Sequence, residues 1–60
     1  MKYRVVVKVK ETGEIWFDDT REALSREHAL KMMQYHIEQW KLEEIKKNPD
    51  AFEIEVVEML

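Results

Sequence analysis

Residues 3–17 read YRVVVKVKETGEIWF, and their reading decides the fold. Tyr3, Val5, Val7 and Val9 alternate with Arg4, Val6 and Lys8. This is the period of two of a half-buried strand, rich in β-branched residues. Ile15-Trp16-Phe17 is a second, shorter strand-like run. Between them stands Glu11-Thr12-Gly13, with the chain's only glycine. A three-residue hairpin loop with glycine in the left-handed region fits that spacing. In this register Val9 faces Ile15, Val7 faces Phe17, and Lys10 faces Glu14 as an opposite-charge cross-strand pair. A two-residue loop would set Glu11 against Glu14, two like charges.

Working outward, residues 24–47 carry the helical period. At about 100° per residue, Ala29, Leu30, Met33, Ile37 and Trp40 form one stripe. Leu24, His28, Met32, Tyr35, His36, Gln39 and Leu42 form a second, uncharged stripe on the far side. Glu27, Lys31, Glu38 and Lys41 fill the band between them, and Glu27 and Lys31 stand at i,i+4. Two starts are open. Asp19 and Glu22 could make a capping box for a helix from Thr20, or Ser25 could cap, with Leu24 stapled on Ala29. A helix from Ser25 to Lys47 is roughly 33 Å long, which suits strands of about eight residues. Lys46 and Lys47 suit its C-terminal dipole, and Asn48-Pro49 stops it.

Residues 52–59 make the last strand, with Phe52, Ile54 and Val56 on one side and Glu53, Glu55 and Val57 on the other. The order is ββαβ. Residues 1–10 carry Lys2, Arg4, Lys8 and Lys10 and no acid, whereas both other strands bring acids. A central first strand lets those cations meet acids on both sides. The right-handed crossover from second to third strand is satisfied by the same placement. The expected architecture is α+β: a three-stranded antiparallel sheet, order 2-1-3, with one helix on one face. Its core is Tyr3, Val5, Val7, Val9, Ile15, Phe17, Ala29, Leu30, Met33, Ile37, Trp40, Phe52, Ile54 and Val56.

Sixty residues (1–60) bound this to one domain with a thin stability margin, for such a chain buries only about 60% of its unfolded surface. Cysteine is absent, which closes off disulfides and thiolate metal sites. No run approaches the roughly 20 apolar residues of a membrane span, and the chain starts on a strand pattern without a signal-peptide layout. A cytoplasmic location is the expectation.

No catalytic constellation is legible. The one serine, Ser25, reads as a cap, and no nucleophile stands beside an oriented base. The expectation is no enzyme, no cofactor and no small-molecule substrate. His28, Met32 and His36 share one side of the helix, yet the end residues lie about 12 Å apart along it, too far for one ion. No metal is expected. Arg4, Lys8, Val6 and Trp16 on an open sheet face could hold a single-stranded nucleic acid. The net charge of −3 argues against that. The better reading has those cations facing Glu53, Glu55 and Asp18.

The hairpin tip Glu11-Thr12-Gly13-Glu14 resembles the degron turn that cytoplasmic Kelch-propeller stress sensors capture in their transcription-factor client, where both glutamates meet propeller arginines. The resemblance covers four residues. That client's acidic residue just upstream is here Lys10, and Glu-x-Gly-Glu is also ordinary hairpin chemistry.

The uncharged second stripe carries the functional expectation. Interface cores favour Met and aromatics and shed charge in this way. The chain is expected to be a non-catalytic protein-interaction module, homodimeric through Leu24, His28, Met32, Tyr35, His36, Gln39 and Leu42, with Met32 and Tyr35 near the two-fold axis. A heteromeric inhibitor or adaptor, such as a small viral protein occupying a host protein's surface, fits the same features. Pairing of last strands is a rival dimer mode that its glutamates oppose. Neutral histidines in such a contact would make association weaken in mild acid.

Overall fold

The computed structural model describes all residues, 1–60. It contains strands β1 (Lys2–Val9), β2 (Ile15–Glu22) and β3 (Phe52–Met59), and helices α1 (Arg26–His36) and α2 (Gln39–Lys47). A 3-10 turn at Pro49–Ala51 leads into β3. The sheet order is β2-β1-β3, antiparallel throughout, as the charge argument required. Both helices serve one face. Their shared core is Tyr3, Val5, Val7, Ala23, Ala29, Met33, Ile37, Leu42, Ile45 and Phe52.

The expected single helix is two. Ile37 and Glu38 take extended backbone, with ψ of 149° and 138°, and interrupt the ladder. No Gly or Pro marks the break; tertiary packing makes it. On a continuous helix Leu42 stands nine residues beyond Met33, hence about 180° away from the core stripe. The break turns α2 so that Leu42 and Ile45 both face inward. A continuous helix of roughly 33 Å would also overrun a fold whose longest extent is 30 Å.

The start of α1 resolves in favour of Ser25, whose Oγ accepts the His28 N–H at 3.1 Å. The alternative start falls inside β2, which runs on to Glu22 as the partner of Lys2. Leu24 is 86% exposed, so the staple on Ala29 does not form. Glu27 and Lys31 make no ion pair; those present are led by Arg4–Asp18, Lys8–Glu53 and Arg21–Asp19.

The hairpin departs from the expected register by one bulge. Val7 faces Phe17 as read, but Lys8 then faces Ile15, leaving Trp16 as the extra residue. Val9, not Lys10, meets Glu14, through a 2.9 Å backbone bond. The loop grows to Lys10–Gly13, closed by Gly13 N–H on the Val9 carbonyl at 2.8 Å, with Gly13 at φ +77°.

The bulge swaps two side chains. Ile15, expected in the core, becomes exposed beside Lys8. Trp16, expected on the open face, instead packs on the helix side, its ring 4.7 Å from Phe52 and 5.3 Å from Trp40. Trp40 consequently sits at the rim, 58% exposed, rather than inside. Ile54, also expected in the core, is 42% exposed at the edge of β3.

Candidate interaction surface

The uncharged helix stripe divides at the α1–α2 break. Leu42 is core, 8% exposed, and Met32 is half-buried against that core. His28 is half-buried, and its Nδ1 accepts the Leu24 N–H at 3.0 Å, so its ring serves the α1 entry. Four members remain outward. Leu24 precedes the Ser25 cap, Tyr35 is 85% exposed, His36 ends α1, and Gln39 begins α2. The break therefore splits the expected seven-residue contact into a supporting row and an exposed remainder.

Tyr35 and Gln39 line an open groove of about 410 Å³ with Lys31, Gln34, Leu42 and Lys46. Leu42 forms its apolar floor from beneath. Lys31 and Lys46 stand on it without an ion-pair partner. Lys31, Gln34 and Lys46 escaped the sequence reading because one continuous helix would not bring 31 and 46 to one depression. At the β2 side of the core, Tyr3, Val5, Phe17, Ala29, Met32 and Met33, with Asp19 and Arg21 at the mouth, line a half-open cleft of about 10 Å³, the size of one water.

The opposite, open face of the sheet presents Arg4, Val6 and Lys8 flanked by acids. Arg4 donates from Nε and Nη2 to the two Asp18 carboxylate oxygens at 2.9 and 2.7 Å. This bond holds the Asp18 carboxyl below its ordinary value and raises that of the Arg4 guanidinium further. Lys8 lies 3.8 Å from Glu53. Arg4 and Lys8 are thus engaged, and Trp16 lies on the other side of the sheet.

At the hairpin tip, Glu14 N–H donates to Thr12 Oγ1 at 3.2 Å, and Glu11 and Glu14 are exposed. No group of three or more His, Asp or Glu side chains comes together to hold a metal ion. No helix is long and apolar enough to cross a membrane. No family model, curated protein or solved structure matches the chain.

Proposed function

We propose that this chain is a small, non-catalytic protein-interaction module that pairs with a second copy across the outer surface at the α1–α2 junction. The observation that carries the reading is Tyr35, an aromatic left 85% exposed beside a groove with an apolar floor. Tyrosine joins a large apolar body to a polar tip and suits a contact that is dry inside and wet at its rim. Leu24, His36 and Gln39 extend the contact, while Met32 and Leu42 support it from the core. A two-fold axis then passes close to Tyr35 alone, and each copy meets its own image. A core of ten buried residues leaves a thin margin, and association adds burial.

A heteromeric inhibitor or adaptor is the second reading, favoured by Lys31 and Lys46. Two unpaired cations on one groove suit an acidic partner surface better than a like-charged copy. Single-stranded nucleic acid has less support, since the open face lacks an aromatic platform and its Arg4 and Lys8 are occupied.

Light scattering over a concentration series tests self-association, with Tyr35→Glu as the comparison. The expected result is a dimer mass for the native chain and a folded monomer for the variant. A strict monomer at every concentration overturns the homodimer, and an unchanged dimer mass in the variant moves the contact away from Tyr35.

A further inference from the structure

The two outer strands are not equivalent. The backbone ladder alternates. Met1, Val9 and the odd residues between them bond toward β2, as Ala23 N–H to Met1 O and Val9 N–H to Glu14 O demonstrate. The even residues of β1 bond toward β3, consistent with Lys10 N–H to Ala51 O at 3.0 Å. It follows that Asp18, Thr20 and Glu22 of β2, and Ile54, Val56 and Glu58 of β3, turn their N–H and C=O groups outward.

Two side chains, one from β2 and one from α2, engage the backbone of the β2 edge. The Thr20 N–H donates to Asp19 Oδ1 at 3.0 Å, and Lys41 Nζ donates to the bulged Trp16 carbonyl at 3.2 Å. The bulge breaks its regular spacing as well. The β3 edge has none of these devices. Its eight residues pair with β1 without a register shift, contain no proline or glycine, and no side chain bonds to the outward groups. Beside that edge Ile54 is partly exposed on the helix side, and Glu55 on the open side has no ion-pair partner.

We infer that β3 is a docking edge for an extended segment of another protein whose residues alternate apolar and basic, added as a fourth strand. Residues bonding to Ile54 and Val56 would turn to the helix side and cover apolar surface. Those between them would lie beside Glu53 and Glu55. The fold already contains this recognition once. β1 sets Val7 and Val5 against Ile54 and Val56, and Lys8 against Glu53. A second β3 is a poor occupant, since each copy brings Glu53, Glu55 and Glu58 and no cation into the pair. A second β1 is not free, being held on both sides in the centre of the sheet. The occupant is therefore a basic, alternating strand from a different chain.

The probe is a synthetic peptide with the sequence of Lys2–Val9, compared with the same peptide carrying K2E, R4E and K8E. Amide spectra of the intact protein should shift at Ile54, Val56 and Glu58, with the acidic peptide about tenfold weaker or worse. The double variant Glu53→Lys, Glu55→Lys should lose the basic peptide by a similar factor. Should that variant fold poorly, N-methylation of the Val56 amide by total synthesis removes one outward donor and no β1 bond, and should also abolish binding. Equal binding of both peptides, shifts on β2 or through the core, or no shift up to about 1 mM peptide overturns the inference. Tyr35→Glu should leave this binding unchanged, so failure of the homodimer and failure of the edge are read separately.

Discussion

Trp16 and Phe52 meet ring to ring, centroids 4.7 Å apart and tilted by 58°, because a single extra residue in β2 turns Trp16 toward the helices. Trp40 then packs on the outer side of Trp16 at 5.3 Å, with its Nε1 donating to Glu38 at 2.7 Å. This corner fastens α2 to the hairpin end of the sheet.

The corner ranks two tryptophans. Trp16→Ala removes a half-buried ring and should cost about 2–3 kcal/mol, below the range for a fully buried tryptophan. Trp40→Ala removes a ring mostly in water and should cost about 1 kcal/mol. Urea denaturation measures both. A larger loss at Trp40 would indicate a continuous helix that turns Trp40 into the core.

Leu42 tests the same break from the other side. Its burial under α2 predicts a loss of about 2–4 kcal/mol for Leu42→Ala. Leu24→Ala, at an exposed position, should stay within about 0.5 kcal/mol. Similar small effects at both would restore Leu42 to the outer stripe.

The α1 entry rests on one hydroxyl. Ser25→Ala should cost about 1 kcal/mol by freeing the His28 N–H, and Ser25→Asp should retain most of the stability. Thermal unfolding of the two variants compares them, and equal melting temperatures would remove the cap from the account.

The Arg4–Asp18 pair sets an acid limit. Asp18 titrates below its ordinary value because the folded chain binds its charged form. Its contribution is therefore full at neutral pH and is lost as pH falls through the depressed folded value, below the usual aspartate value of about 3.9. Carbon-detected NMR titration should show the Asp18 midpoint rising toward that usual value in Arg4→Gln. An unchanged midpoint would mean that the two side chains are apart in solution.

Strand order was legible because it depended on charge. The cations of residues 2–10 and the acids of the other strands demand a central β1, and Arg4–Asp18 and Lys8–Glu53 carry that out. The last strand was legible from its alternation and from Pro49 before it. The rest of β2 was obscured by Asp19 and Glu22, which read as helix-cap chemistry until β1 supplies a template for the strand. Exposure along the uncharged helix stripe was half legible. Tyr35 and Gln39 stand outside as their wheel positions require, but wheel positions beyond Ile37 hold only while the helix continues.

The sequence by itself determined the local periods, the glycine of the turn, two candidate helix starts, and a sheet order dictated by unlike charges. These are properties of residues and near neighbours. Only the tertiary structure decided where the helix breaks, which of Ile15 and Trp16 turns inward, and which sheet edge stays open. Each of those depends on competition for one small core: burying Leu42, Ile45 and Trp16 together outweighs an unbroken helix and a regular hairpin. The same packing brings Lys41 to the edge of β2 and leaves that of β3 free.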